Sequence, residues 1–256
     1  MNYLLIGSGN IAWFLAQELT AGGHTCSGIY ARNKSEGSRL ARFHNVPFFE
    51  SLSELYDGPD ACILTVPDSA IATVAAQLSF SSTVLLHTAG AADISLLQAA
   101  AKLYGVLWPV YSIKKENLPQ HGQVPIVWEA SDNVAAKILR SLARTLSTIE
   151  KELDGTQRKK LHLSAVMSNN FCNHLIAVAT GICKEAGVPV SLLFPILQQT
   201  FSPEHMTHAA QLQTGPAIRR DQPTIEEHLA LLALHPEWQA VYQALTASIM
   251  QLYRER

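Results

Sequence analysis

Polar side chains within an otherwise apolar stretch of the chain could carry out proton transfer. His162, Asn169 and Asn173 are spaced seven and four residues apart, which places them on one face of an α-helix. An imidazole ring can donate or accept a proton near neutral pH, and a carboxamide can hold a polar group by hydrogen bonds. The pattern predicts a catalytic pair, His162 as proton donor and Asn169 beside it, with Asn169 and Asn173 holding the polar group of a substrate. The alternative, which explains the pattern equally well, is that this face packs against another domain or a second subunit.

A glycine-rich turn at the start of the chain has the pattern of a nucleotide-binding site. The apolar run 3–6 stops at Gly7, and Gly9 and Ala12 complete a G-x-G-x-x-A spacing at the start of a helical periodicity. Gly7 permits the turn, Gly9 lets the backbone approach a pyrophosphate, and Ala12 lets the helix pack closely on the strand. The N-terminus of the helix then attracts the phosphates. We predict that the pyrophosphate-binding residues are Gly7, Ser8, Gly9, Asn10 and Ile11.

The residues that follow the second predicted strand favour NADP over NAD. In an NAD enzyme an acidic residue is expected at this position, where it accepts hydrogen bonds from the ribose 2′-hydroxyl. Residues 31–35 of this chain contain Arg32, Lys34 and Ser35 and no carboxylate. A guanidinium group with a nearby ammonium group and hydroxyl suits a 2′-phosphate. We therefore predict NADP as the cofactor, bound by Arg32, Asn33 and Ser35, and the alternative is a solvated basic turn.

Two further strand ends are placed to line the same cleft. The nearly continuous apolar run 60–66 is typical of a parallel strand that is buried on both faces, and it stops at Pro67. Asp68 is predicted to cap the next helix, and a strand at 83–86 is followed by another helix over 93–102. Ligands of doubly wound sheets bind beyond the carboxyl ends of the strands. The predicted contacts of the nicotinamide half are Val66, Pro67, Asp68 and Thr88.

The succession of elements predicts two domains. Strands alternate with helices for about 150 residues, which indicates an α/β fold with a parallel sheet, the doubly wound Rossmann type, over residues 1–152. No strand pattern follows, so residues 153–256 are predicted to form an all-α domain. Residues 156–185 contain no proline and a single glycine, and they are predicted to form one helix of about 45 Å. Such a long apolar helix is difficult to cover within one subunit.

The composition restricts the class of protein. The chain has 256 residues, 48% of them hydrophobic, and a formal net charge of −2, which gives no electrostatic reason to expect nucleic acid or an anionic membrane as a partner. We expect no membrane span, because no apolar run approaches the ~20 residues needed, and no signal peptide, because the first strand occupies the N-terminus. The four cysteines are scattered, as expected of thiols in the cytoplasm. His205 and His208 could share a helix face, but we expect no metal site.

The order of the motifs resembles that of the 6-phosphogluconate dehydrogenase-like superfamily. Four sequences carry the resemblance, followed by an all-helical region: GSGNIA at 7–12, YARNKS at 30–35, ILTVPDSAI at 63–71 and LLHTAG at 85–90. That superfamily includes pyrroline-5-carboxylate reductase, ketopantoate reductase and the deazaflavin-dependent NADP oxidoreductases. Residues 108–112, 161–171 and 214–221 further resemble a bacterial subfamily. Its members are described as NADP oxidoreductases by inference, with a helical C-terminal domain of unassigned function.

The resemblance implies an activity and an assembly. It implies an NADP-dependent oxidoreductase that transfers a hydride between NADPH and a small carbonyl or imine compound. It also implies a homodimer formed through the C-terminal helices. Two alternatives stay open: reduction of NADP by a deazaflavin coenzyme, and an NADP-binding sensor or partner-binding protein without turnover.

One departure from the pattern limits how far a mechanism can be transferred. Relatives use a lysine one helical turn before an asparagine on the long helix, and the residues four after Lys159 and Lys160 are Leu163 and Ser164. His162 is the best substitute by position.

Two further residues are predicted to bind the substrate. Trp108 occupies a position where the subfamily often has histidine, and it is predicted to contact the substrate. Arg219 is predicted to bind a substrate carboxylate, with an ion pair to Asp221 as the equally expected alternative.

Overall fold

An eight-stranded sheet organises the first part of the chain. The computed structural model describes residues 1–254 and divides into two compact units, Met1–Ser168 and a second that begins at Asn169. The sequence-based boundary after residue 152 stays a prediction. Residues 255 and 256 of the predicted helical domain lie outside the described residues.

The strand order of the sheet is that of a doubly wound fold, β3-β2-β1-β4-β5-β6-β7-β8. The strand bounds are β1 Asn2–Ile6, β2 Thr25–Tyr30, β3 Phe48–Phe49, β4 Ala61–Leu64, β5 Val84–His87, β6 Tyr104–Pro109, β7 Ile126–Ala130 and β8 Glu150–Glu152. Strand β1 lies between β2 and β4, with Leu4 opposite Gly28 on one side and Cys62 on the other. This order brings the ends of β1, β4, β5 and β6 side by side along the carboxyl edge.

The predicted parallel sheet is confirmed, with one antiparallel strand pair within it. Strand β7 runs antiparallel to β6, whereas every other pair is parallel among the described residues. A parallel connection needs a crossover, usually a helix, and residues 110–125 between these two strands contain no helix. Strand β8, which the sequence pattern did not indicate, then pairs with β7 in parallel.

The helices of the first unit cover both faces of the sheet. They are α1 Asn10–Ala21, α2 Lys34–His44, α3 Ile71–Ala75, α4 Asn133–Leu146 and α5 Gly155–Ala165. One apolar cluster includes residues from α1, α2 and α4, and a second includes residues from α3 and the segment 94–101. Burial of these two faces is the main driving force for folding of this unit.

Two local predictions are wrong in this unit. Asp68 does not cap a helix, because Pro67 occupies the N-cap position and Asp68 is the first residue of a short 3-10 helix, Asp68–Ala70. The helix predicted over 93–102 is limited to a 3-10 turn, Ile94–Leu97. Beyond that turn the backbone bonds to Phe80 instead, since the Phe80 N–H donates to the Ala100 carbonyl at 2.8 Å.

The described part of the second unit contains helices and no strand. Its α-helices are α6 Cys172–Glu185, α7 Phe194–Thr200, α8 Pro203–Thr207, α9 Pro216–Arg219, α10 Gln222–Leu231 and α11 Pro236–Leu252. None of the helices in residues 1–254 has the length and apolar character needed to cross a membrane.

The single helix predicted over 156–185 is interrupted by a π-helical segment. Helix α5 ends at Ala165, π-helical turns occupy Val166–Phe171, and α6 begins at Cys172. A π-helix has more residues per turn than an α-helix, and such segments are frequent at functional sites. The prediction that His162 shares a face with Asn169 assumed α-helical rotation throughout, so their spacing no longer supports it.

Candidate functional site

The turn between β1 and α1 has the geometry that its glycines predict. Gly7 has φ +126°, and a Cβ atom added there would lie 2.3 Å from the Thr65 hydroxyl oxygen. The Gly7 N–H donates to the Tyr30 carbonyl at 2.7 Å, which holds the turn against β2. At Gly9, the N-cap of α1, an added Cβ would meet nothing within 4 Å. The turn therefore leaves open space in front of a helix N-terminus, as a pyrophosphate requires.

A cavity of about 610 Å³ opens at this turn. Of the residues predicted from sequence to bind the cofactor, its wall contains Gly7, Ser8, Gly9, Arg32, Asn33, Val66 and Pro67. The wall described here includes no Asp or Glu side chain. The remaining predicted residues lie outside it: Asn10, Ile11, Ser35, Asp68 and Thr88.

Some of these outlying residues have evident structural contacts. The Asn10 side chain accepts a hydrogen bond from the Lys115 N–H at 3.2 Å, and Ile11 packs against the apolar core. The Thr88 hydroxyl donates to the Leu64 carbonyl at 3.3 Å, which joins the ends of β4 and β5.

Sequence reasoning missed one side of the cavity. Thr65, directly after β4, lines it, and its hydroxyl donates to the Ile6 carbonyl at 3.0 Å. The helical turns that follow contribute residues at a spacing of three and four: Ala70, Thr73, Val74 and Gln77. That spacing places these four residues on one face of the helical turns.

The cations after β2 differ in what they contact. Lys34 forms an ion pair with Glu50 at 2.5 Å, and the Asn33 side chain caps α2 by accepting the Glu36 N–H. Arg32 is exposed at the cavity wall and has no ion-pair partner among residues 1–254. Its guanidinium group is therefore free to bind an anion at this end of the cavity.

A second group of residues meets further along the carboxyl edge. The rings of Trp108, near the end of β6, and His162, on α5, have centroids 5.6 Å apart. A Cβ atom added to Gly90 would lie 2.6 Å from both rings, so only a glycine fits between them without displacement. Trp108 is buried and His162 is half-buried. The predicted proton donor thus lies beside the turn that follows β5.

Arg158, which sequence reasoning also missed, anchors α5 to that turn. The Arg158 side chain is fully buried and lies one helical turn before His162. Its guanidinium group donates to the Glu129 carboxylate at 2.8 and 3.1 Å. It also donates to three backbone carbonyl groups, at distances between 2.7 and 3.2 Å: Ala89, Gly90 and Ala92. Five charge-assisted hydrogen bonds hold the turn and the helix together.

His87, the last residue of β5, is a buried neutral imidazole. Its Nδ1 accepts the Ala89 N–H at 3.2 Å. Burial, and next the positive charge of Arg158, lower the pKa of His87 to about 4. With this lowered pKa, His87 is not protonated near neutral pH and cannot serve as a proton donor there.

The remaining predicted site residues belong to the second unit. Asn169 lies in the π-helical segment and Asn173 in α6, and both are exposed. Arg219 lies in α9, with its guanidinium group 3.8 Å from the Asp221 carboxylate. This contact is the ion pair that was the alternative role expected for Arg219. Substrate binding by Asn169, Asn173 and Arg219 stays a prediction.

Comparison with known proteins identifies relatives of the whole chain. The family model described as a domain of unknown function, DUF2520, matches residues 124–249. The crystal structure of putative NADP oxidoreductase BF3122 from Bacteroides fragilis is 31% identical, with a TM-score of 0.87 and 98% of each chain covered. The chain belongs to this oxidoreductase family. The resemblance to the 6-phosphogluconate dehydrogenase-like superfamily is confirmed.

More distant structures share the fold of this family. A reductive aminase from Aspergillus terreus, in complex with NADPH and ethyl-5-oxohexanoate, has a TM-score of 0.72 at 16% identity, covering 99% of this chain and 94% of that one. The 1-pyrroline-5-carboxylate reductase of Streptococcus pyogenes has a TM-score of 0.61 at 15% identity, covering 100% and 99%. A comparison with proteins of curated function gave no match. The predicted Rossmann fold with a helical C-terminal region is confirmed.

Proposed function

We propose that this chain is an NADPH-dependent oxidoreductase that transfers a hydride between the cofactor and a small carbonyl or imine compound. The observation that carries the cofactor assignment is the cavity at the Gly7–Gly9 turn, with the unpaired Arg32 in its wall and no carboxylate among the described residues that line it. The 31% identity to an NADP oxidoreductase of assigned but unproven function supports it over the full length.

The residues at the turn would bind the two ends of the cofactor differently. The N–H groups at Ser8 and Gly9 and the start of α1 would hold the pyrophosphate. Arg32 would bind the 2′-phosphate through charge-assisted hydrogen bonds. Val66 and Pro67 would bound the nicotinamide half, and the bound cofactor would supply the hydride.

The proton would come from His162. A carbonyl or imine carbon that receives a hydride leaves a heteroatom that needs a proton, and a positioned imidazole can supply it near neutral pH. The ring contact with Trp108 limits the orientations of the imidazole, and Trp108 would form a wall for the substrate. Asn169, Asn173 and Arg219 are proposed to bind the substrate's polar groups.

The helical unit supports the proposal of a homodimer. Its helices α6 and α11 contain no buried residue, and large apolar side chains are exposed along the unit. The exposed fractions reach 89% for Leu234 and 74% for Leu231 and Leu252. Large apolar side chains exposed along one helical unit favour an interface, and a second copy would cover them. Light scattering at micromolar concentration should give twice the chain mass, and a monomeric mass would contradict the proposal.

Nucleotide titration of an Arg32→Glu variant tests the cofactor assignment. The substitution removes charge-assisted hydrogen bonds of about 1.5–3 kcal/mol each and adds a carboxylate beside the 2′-phosphate. NADP⁺ affinity should fall at least about tenfold, while NAD⁺ affinity changes little. Arg42→Glu, the same charge change on α2 away from the cavity wall, is the matched control. Equal wild-type affinities for the two nucleotides would contradict the assignment.

Turnover is tested separately from binding. NADPH consumption with a panel of small ketones, aldehydes and cyclic imines should identify a substrate class. NADP⁺ binding without consumption by any member would instead favour a nucleotide sensor, and consumption only with an oxidised deazaflavin would favour the coenzyme reductase.

A further inference from the structure

The segment that joins β6 to β7 reaches the nucleotide end of the fold. This crossing segment, residues 110–125, contains no helix, and its only strand-like pairing among described residues is a single bridge between Lys114 and Asn117. It is nevertheless well anchored, because Ile113 and Val124 are buried in the same apolar cluster as α1, α2 and α4. Its backbone is therefore held over α1 rather than projecting into solvent.

Lys115 of this segment contacts the first turns of both α1 and α2. Its N–H donates to the Asn10 side chain at 3.2 Å, and its ammonium group donates to the Glu36 carboxylate at 2.6 Å. The same Glu36 carboxylate oxygen accepts a hydrogen bond from Arg39 at 3.0 Å. Lys115 is only partly exposed, with 27% of its side chain accessible. The contact is thus partly shielded from solvent.

Glu36 lies next to the residues proposed to receive the 2′-phosphate. It is three residues after Asn33, which lines the cavity, and its N–H donates to the Asn33 side chain. A carboxylate at this place would repel a phosphate dianion. Hydrogen bonds from Lys115 and then from Arg39 hold the pKa of Glu36 below its usual range, so its carboxylate is ionised and must be compensated.

We propose that Lys115 is a cofactor-specificity residue that acts by neutralising Glu36, which keeps the Arg32–Asn33 end of the cavity attractive to the 2′-phosphate of NADP(H). The inference rests on the proposed function, since it concerns the same nucleotide site. Lys115 is a positioning residue: it acts on the nucleotide through Glu36. The expected effect is confined to the nucleotide with a 2′-phosphate, because the Glu36 N–H donates to the side chain of Asn33, which lines that end of the cavity.

Titration of NADP⁺ and NAD⁺ against four forms of the full-length protein tests the proposal: wild type, Lys115→Ala, Glu36→Gln with Lys115→Ala, and Lys114→Ala. A partly exposed ion pair contributes modestly, so Lys115→Ala should weaken NADP⁺ binding about three- to fivefold. NAD⁺ binding should change less than about twofold. Adding Glu36→Gln removes the carboxylate charge, which Arg39 alone would otherwise balance only in part, and should restore NADP⁺ affinity to within about twofold of wild type. Lys114→Ala, which removes the same charge one residue away, should have little effect.

Each other outcome contradicts the proposal in its own way. An equal loss for both nucleotides would mean that Lys115 supports the fold or the pyrophosphate turn. A loss that Glu36→Gln fails to restore would mean that Lys115 contacts the nucleotide directly. An unchanged NADP⁺ affinity, or an equal effect of Lys114→Ala, would remove any specific role. If the wild type itself shows no preference for NADP⁺, the proposed cofactor fails and this inference fails with it, whereas failure of the variants alone leaves the cofactor assignment intact.

Discussion

Replacement of His87 by asparagine should reduce the dependence of protein stability on pH. The folded state lowers the pKa of this imidazole from 6.5 to about 4, so protonation favours the unfolded chain. The stabilisation from a neutral His87 is complete above the unfolded pKa and is lost as the pH falls toward the folded pKa. Arg158 contributes to the low pKa, and Asp93 opposes it.

The size of the effect follows from these two pKa values. A difference of one pH unit between the folded and unfolded pKa corresponds to about 1.4 kcal/mol, so the whole difference amounts to about 3 kcal/mol once the pH is below the folded pKa. Between about pH 7.5 and pH 5, the linkage relation gives a loss of about 2 kcal/mol from this residue alone. His87→Asn keeps an acceptor near the position of Nδ1 for the Ala89 N–H, and it cannot titrate.

Urea unfolding, followed by far-UV circular dichroism at several pH values in this range, measures the difference. The variant should be less stable at pH 7.5, and its free energy of unfolding should decline by about 2 kcal/mol less on going to pH 5. His174→Asn, at an exposed histidine, is the control and should follow the wild-type slope. Parallel curves for wild type and His87→Asn would refute the reasoning, because they would show that the buried ring does not resist protonation.

Three further changes test the site. His162→Ala should lower turnover by about 100- to 10,000-fold with unchanged NADP⁺ binding; full turnover would mean that solvent supplies the proton. Gly90→Ala should destabilise the protein by about 1–3 kcal/mol in urea, since the new methyl group collides with the rings of Trp108 and His162. Arg158→Met should cost about 3–5 kcal/mol because it leaves the Glu129 carboxylate and three carbonyl groups without their donor, and a change below about 1 kcal/mol would contradict the anchoring role.

The nucleotide end of the site could be predicted from the sequence because its determinants are local. The Gly7–Gly9 turn and Arg32 lie within one β-α-β unit. The spacing of residues in such a unit is enough to predict its geometry. Helix α4 likewise has a local determinant, because the side chain of Asp132 caps its first turn.

The features that could not be predicted depend on contacts between distant segments. Arg158 binds carbonyl groups that precede it by 66 to 69 residues, and a backbone carbonyl leaves no trace in the sequence. The direction of β7 is not encoded in its apolar pattern, since parallel and antiparallel strands can both be apolar. The helix predicted over 93–102 does not extend past its first turn, because the backbone there pairs with Phe80, which is likewise distant in sequence.

The division of the long helical run at its π-helical turns has a consequence for how the family can diversify. His162, Trp108 and the Arg158 anchor all belong to the unit Met1–Ser168, together with the nucleotide cavity. Recombination at the π-helical turns would keep the proposed proton donor and the cofactor site in one segment. The helices after these turns could then be replaced. Evolution could then exchange what the protein recognises without reassembling its reactive groups, and a chimera joined after residue 168 would inherit them intact.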